Sequence, residues 1–323
     1  MEILLKLFYI LIFPGFLFCF AAGLLLAGID RKVVARMQRR IGPPILQPFY
    51  DFCKLIGKET IVPRAAARKT FLAAPVIGLI SLVTIMLFMP ISSFSAFSSV
   101  ADIIVIIYLL TIPGVAIIMG GAASGSPFAG VGLSREMVAM LSYELPLVMI
   151  LLTVGKLVGL DNGSISFSFS QIAGYQAANG SLITHWSMIP AAIAMLLVIP
   201  CEVGSQPFDI AEAETELCEG TLVEYSGAPL AIFKLNYAIK MFIMTALFTT
   251  LFLGGLFVDG TGAGIVALNA LILVAVSTVV TIIAITLVKA VTARLKVEQV
   301  FKFYWTVVAG LALISLVLVW FGL

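Results

Sequence analysis

Eight runs of predominantly apolar residues, at about 4–29, 70–90, 101–121, 137–160, 187–204, 229–257, 264–289 and 303–322, decide what this chain can fold into. A helix needs about 20 such residues to cross roughly 30 Å of hydrocarbon, and it satisfies its own backbone hydrogen bonds while doing so. A water-soluble fold has no interior large enough for eight of them. Composition agrees: 61% of the 323 residues are apolar and 11% charged, against about 45–50% and about 25% in soluble domains. The sequence therefore predicts an all-α polytopic membrane protein, a single membrane domain over 1–323. The first run, from Leu4 to Ala27, is too long for a secretory signal, and its arginines follow the apolar stretch where a signal would carry them in front.

Charge distribution sets the expected orientation. The formal net charge is only +2, too small to imply a nucleic-acid partner. The loop 30–69, however, holds ten of the nineteen basic residues, and the positive-inside rule makes that loop cytoplasmic. Eight crossings place the loops 122–136, 205–228 and 290–302 on the same side, and there Arg135, Lys234, Lys289, Arg294, Lys296 and Lys302 lie in or beside them. The opposite side receives Lys6 and Lys156, with Ser-, Gly- and Asn-rich loops such as Ser92 to Ser99 and Asn162 to Gly180. Both termini are expected outside a prokaryotic cytoplasmic membrane.

Within the first loop, Lys32, Arg36, Arg39 and Arg40 recur at helical spacing before Gly42-Pro43-Pro44. Beyond the break, Ile45, Phe49, Phe52, Cys53 and Ile56 form one stripe and Asp51, Lys54 and Lys58 another, the pattern of an amphipathic helix lying in the membrane interface. Some of these cations anchor helix ends to anionic lipid; Arg36, Arg39, Arg40, Asp51, Arg135 and Glu136 are expected to receive a soluble partner. Cys19, Cys53, Cys201 and Cys218 are scattered without C-x-x-C spacing and far from the single histidine, His185, so no metal or cluster site is expected within the chain.

The feature richest in chemistry lies between the fifth and sixth spans. Glu202, Asp209, Glu212, Glu214, Glu216, Glu219 and Glu224 are seven of the seventeen acidic residues, packed into 23 positions. Ser205 as a cap, Pro207 in a first turn and Gly220 past an end predict a helix that carries Asp209, Glu212, Glu216 and Glu219 along one face. Crowded carboxylates repel, which raises some of their pKa values and couples their titration. Such a chain can pass protons. Glu144, some eight residues inside the fourth span, and Lys240, a dozen into the sixth, are charges in hydrocarbon that must pair or face a wet cavity, and with Glu202 they are expected to form an internal polar axis. Asp102, Lys156 and Asp259 lie near enough to span ends to reach the interface.

These residues also carry a resemblance. Asp30-Arg31-Lys32 through Ala35-Arg36-Met37-Gln38, Arg40-Ile41-Gly42-Pro43, Leu46-Gln47-Pro48 with Asp51, Lys54-Leu55 and Lys58-Glu59, then Ser142-Tyr143-Glu144, and above all Pro207-Phe208-Asp209-Ile210-Ala211-Glu212-Ala213-Glu214 with Glu216-Leu217, Glu219-Gly220 and Glu224-Tyr225-Ser226-Gly227, resemble the complex I membrane subunit called subunit 1 or the H subunit, and its relatives in energy-converting, membrane-bound NiFe hydrogenases such as Ech and formate hydrogenlyase. Only Pro44 and Ile45 separate Gly-Pro from Leu-Gln-Pro, where complex I proteins carry several more residues. With Gly125-Ser126-Pro127-Phe128, Gly132 and Ser134-Arg135-Glu136, this looks like the hydrogenase branch and weakens the case for a quinone tunnel.

The resemblance implies a subunit with no redox centre or cofactor of its own. It would be clamped beneath a NiFe-hydrogenase-like large subunit and an iron–sulfur small subunit, and would couple electron transfer from ferredoxin to protons with proton or sodium pumping toward antiporter-like membrane subunits. In that scheme Glu144, Glu202, Asp209, Glu212, Glu214, Glu216, Glu219, Glu224 and Lys240 relay charge. The rivals are a quinone-site subunit of complex I and a stand-alone secondary transporter; against the latter, the polar groups crowd one end and not the midplane.

Overall fold

The computed structural model describes residues 2–91, 102–159, 165–258, 260 and 262–322, with only the backbone described for 2–5, 214 and 215. Its helices are α1 (Glu2–Leu11), α2 (Phe16–Met37), α3 (Gln47–Ile56), α4 (Arg68–Phe88), α5 (Ile103–Ser124), α6 (Pro127–Val158), α7 (Phe169–Asn179), α8 (Ile189–Val203), α9 (Glu214–Leu217), α10 (Gly227–Phe252), α11 (Ala263–Thr281), α12 (Leu287–Val291), α13 (Val297–Phe303) and α14 (Ala309–Trp320). Two π-helical turns, Ile282–Thr286 and Tyr304–Val308, join α11 to α12 and α13 to α14. Among the described residues, eight segments are long and apolar enough to cross a membrane: Lys6–Met37, Arg68–Phe88, Ile103–Ser124, Pro127–Val158, Trp186–Val203, Gly227–Phe252, Ala263–Val291 and Val297–Trp320. The expected all-α polytopic fold is therefore the observed one.

The spans differ from expectation at their basic ends. The loop expected at 122–136 shrinks to Gly125 and Ser126: Gly125, at φ 71°, ends α5, and Pro127 starts α6 at once. The 32 residues of α6 run about 48 Å, longer than the hydrocarbon is thick. Arg135 and Glu136 therefore sit on a helix, and so do Lys289 and Lys302. On the other side, α7 forms where a loop was expected, because Phe169, Ile172 and Gln176 recur at helical spacing and bury one face. Lys156 reaches Trp320, its amine 5.0 Å from the ring centre. Ser92 to Ser99 and Asp259 lie outside the described residues.

The sixth span, α10, occupies the centre and packs on α2, α3, α4, α8 and α11. Bilayer water cannot satisfy a broken helix, so each internal proline needs a protein donor nearby. Pro75 in α4 deprives the Phe71 carbonyl of its helical donor; the Tyr225 hydroxyl replaces it at 2.9 Å. The Asn236 amide of α10 donates to the Pro75 carbonyl, also at 2.9 Å. The kink and the loop after α9 are in this way locked together, with Phe71 and Tyr225 stacked at 4.0 Å. Midway along α2, Gly28 is pressed against the Ile45 carbonyl, where a methyl group would overlap the oxygen. Just beyond Ile45, α3 packs its Phe49 and Phe52 on Phe20 of α2. Cys53 and Ile56, expected in the same stripe, remain exposed.

Candidate functional site

Between α2, α3, α8 and α10, near the basic end of the bundle, lies a chamber of about 570 Å³. Its wall carries six carboxylates, Asp30, Asp51, Glu136, Glu202, Asp209 and Glu212, and six cations, Arg31, Lys54, Lys58, Lys234, Lys240 and Lys289. Leu24, Phe52, Phe233 and Met241 supply apolar wall between them. Opposed charges in equal number make such an interior tolerable, since an unpaired ion away from water costs several kcal/mol.

At the core of the site, Lys240 Nζ lies 2.9 Å from Glu202 Oε1, with side chains 8% and 2% exposed. The sequence expected this pair with Glu144 as a third member. Glu144 instead lines no part of the chamber. Glu136, Ala139 and Tyr143 occupy the inner face of α6 at i, i+3 and i+7, and Glu144, one residue further, is rotated about 100° away. Tyr143, fully within the core, faces Glu202. Glu136, expected as a docking residue, therefore belongs to the inner site.

The acidic loop is not the helix the sequence suggested. Ser205 closes α8: its N–H and hydroxyl both donate to the Pro200 carbonyl, at 2.9 and 3.1 Å, after Gly204 takes a left-handed φ of 77°. Residues 205–213 then run without helix, α9 spans only Glu214–Leu217, and Cys218 and Glu219 adopt φ of 50° and 73°. The reason lies in which side chains are buried. Phe208, Ile210, Ala211, Ala213 and Leu217 are buried, and an irregular path lets all of them pack while Asp209 and Glu212 face the chamber. Two arginines from distant elements pin the loop. Arg294 pairs with Asp209, its Nη2 donating to Oδ2 at 2.9 Å and its Nε lying 2.8 Å from Oδ1. Arg135, expected to dock a partner, is turned inward on Glu216 and reaches the Ile210 carbonyl at 3.4 Å. Gly220, at φ 55°, lies where any side chain would overlap the Ala211 carbonyl.

Burial, reinforced by the charges of Glu136, Asp209 and Glu219 and opposed by Lys234, pushes the Glu212 carboxyl up to about 7. That carboxyl therefore exchanges protons near neutral pH. Asp51 goes the other way. Burial favours its neutral form, but hydrogen bonds from Gln47 at 2.8 Å and Arg31 at 2.9 Å, with the Arg31 charge, hold it below the usual carboxylate range. Asp30 Oδ2 lies 3.1 Å from Lys289 Nζ, and its Oδ1 accepts from Thr286 at 2.8 Å.

Of the residues expected to relay charge, Glu202, Asp209, Glu212 and Lys240 meet in the chamber, whereas Glu144, Glu216, Glu219 and Glu224 stand outside its wall; the Glu214 side chain lies outside the described residues. Asp30, Tyr143, Lys234 and Lys289 were not foreseen as site residues. Asp30 had a signal, a carboxylate ending an apolar run. Arg36, Arg39 and Arg40 are exposed and make no ion pair among the described residues. Cys19 and Cys201 are buried, Cys53 and Cys218 exposed, and among the described residues no group of three or more His, Cys, Asp and Glu is placed to hold a metal ion.

Comparison with known proteins agrees with this architecture. The sequence model of the NADH dehydrogenase family matches residues 8–320. The H subunit of NADH-quinone oxidoreductase from Rubrobacter xylanophilus is 34% identical over 242 residues, 73% of this chain and 71% of that protein. The same subunit from Neorickettsia sennetsu is 29% identical over 308 residues, 90% and 89%. Its Bordetella pertussis counterpart is 31% identical over 239 residues, and this chain spans only 66% of its length. A chain in the solved structure of the membrane-bound sulfane sulfur reductase, an archaeal respiratory membrane complex, superposes with a TM-score of 0.86 at 28% identity, covering 99% of this chain and 100% of that one. With eight apolar spans, an acidic loop facing a charged chamber and a family match over nearly its whole length, the chain belongs to the NADH dehydrogenase family.

Proposed function

We propose that this chain is the membrane anchor and ion-translocation coupling subunit of a multisubunit energy-converting complex on the hydrogenase branch, in which electron transfer from ferredoxin to protons drives proton or sodium pumping. The observation that carries this reading is the chamber: six carboxylates and six cations gathered along one cavity beneath the loop that a soluble redox arm would cover. Glu212, half-protonated near neutral pH, takes up or releases a proton, and Asp209, Glu136 and Glu202 lie on the same wall to receive it. Lys240 lies beside Glu202 at 2.9 Å and places a positive charge at the inner end of that path. A change of charge above the chamber then becomes a change of protonation inside it. Glu144, Glu214, Glu216, Glu219 and Glu224 would extend the relay toward neighbouring subunits.

In this reading the NiFe centre and the iron–sulfur clusters belong to a large and a small partner subunit. Exposed Arg36, Arg39 and Arg40 offer those partners cationic contacts on the cytoplasmic face, while antiporter-like membrane subunits adjoin the spans. A second reading has support of its own. The curated relatives are quinone oxidoreductase subunits, and 570 Å³ with partly apolar walls falls within the size of common ligand pockets, about 300–1,000 Å³.

Purification of the intact complex separates the two. Its attached subunits are identified by mass spectrometry and the complex is assayed for hydrogen evolution, reduction of a quinone analogue and reduction of sulfane sulfur. Hydrogen evolution with a co-purified hydrogenase-like subunit supports the proposal, and quinone reduction without hydrogen overturns it. On the coupling role, Asp209→Asn and Glu212→Gln should abolish ion pumping in a complex that still assembles; full pumping by both removes the acidic loop from the mechanism.

A further inference from the structure

Asp30 and Arg31, adjacent on α2, are tied to two different elements. Asp30, 4% exposed, holds Lys289 at 3.1 Å and Thr286 at 2.8 Å on the seventh span. Arg31 holds Asp51 of α3 at 2.9 Å. All four charged residues line the chamber. Thr286 and Lys289 face Asp30 directly after the π-helical turn Ile282–Thr286. A turn of that kind inserts one residue and rotates the remainder of the helix by about 100°, so the widened turn sets the direction in which the lysine points. Gly28, one turn earlier on α2, is meanwhile pressed against the chain leading into α3. At the basic end of the chamber, then, one charge pair ties α2 to α3 and another ties it to the seventh span, beside the packing of both on α10.

We propose that Asp30 is a positioning residue of the chamber, and that its bond to Lys289, acting with the neighbouring Arg31 to Asp51 pair, holds the seventh span and α3 against α2 and so sets how far the chamber opens to water. The coupling reading above supplies the consequence, since a chamber too open to water lets protons bypass the relay. The structural claim stands apart from which ion or acceptor the complex uses.

Cys201 gives a native reporter, because it lines the chamber, 4% exposed, whereas Cys19 lies outside it. In the intact complex, in membranes, with Cys53→Ser and Cys218→Ser as background, the rate at which a small charged methanethiosulfonate modifies Cys201 is measured by mass spectrometry. Lys289→Met and Asp30→Asn should each raise that rate roughly tenfold, the size of effect expected when a charge-assisted hydrogen bond is lost. The exchange Asp30→Lys with Lys289→Asp should bring it back toward the parent value. An unchanged rate in Lys289→Met overturns the proposal, and so does an exchange variant labelled as fast as the single ones. Should Asp30→Asn fail to assemble, Lys289→Met and its comparison with the parent carry the test, since that lysine side chain is 25% exposed at a helix end. Altered labelling with normal pumping would separate the opening of the chamber from the coupling function.

Discussion

Lys240→Met removes a charge while keeping most of the side-chain volume, and it strands Glu202 in the centre of the bundle. The two groups are 2.9 Å apart and 8% and 2% exposed, so their gross attraction is about 6 kcal/mol at an effective dielectric of about 20. Most of that attraction offsets desolvation, and breaking a buried pair by removing one partner costs about 3–5 kcal/mol. The single variant should therefore lose about 3–5 kcal/mol when unfolding is followed by circular dichroism in a detergent titration. Lys240→Met with Glu202→Gln together should recover most of the loss, because neither charge is then left alone. A single variant within about 0.5 kcal/mol of the parent, with no coupling in the double-mutant cycle, would refute the reasoning.

Three further outcomes follow from particular contacts. Glu212 is raised from 4.5 to about 7, so between those pH values the unfolded chain has released a proton that the folded chain keeps; stability should fall as pH rises through this window and level off above it, and Glu212→Gln should flatten the slope of a pH-dependent unfolding series. Tyr225→Phe keeps the ring stacked on Phe71 but leaves the Phe71 carbonyl without its donor, which should cost about 1–3 kcal/mol in the same detergent titration. Gly28→Ala forces a methyl group onto the Ile45 carbonyl, and the overpacking should cost about 1–3 kcal/mol, visible as faster proteolysis between α2 and α3.

Much of the scaffold is legible because one quantity, the length of apolar helix a bilayer requires, acts on every span alike. The basic ends read less well. Arg135 and Glu136 look like loop residues when each charge is taken as a sign of water, yet Glu216 and the chamber give them partners on a helix that continues inward. The acidic loop misleads for a related reason: Asp209, Glu212, Glu216 and Glu219 do have helical spacing, but the burial of Phe208, Ile210 and Ala213 and the grip of Arg294 outweigh that local preference. Glu202 and Lys240 were found because charge in hydrocarbon is conspicuous; Asp30 and Lys289 sit at span ends, where a charge ordinarily needs no explanation, and only their 3.1 Å contact across 259 positions sets them apart. At α7, serine and glycine masked three inward positions spaced as on a helix.

Proton exchange by the chamber carboxylates during electron transfer is the claim on which the coupling role stands. Infrared difference spectra of the intact complex, taken between its oxidised and reduced states, detect the carbonyl stretch of any carboxyl group that gains or loses a proton. The chamber carboxylates should give such a band, and Glu202→Gln and Glu212→Gln should each remove part of it. A spectrum in which no carboxyl signal changes with redox state, or in which both variants leave the band intact, would contradict it.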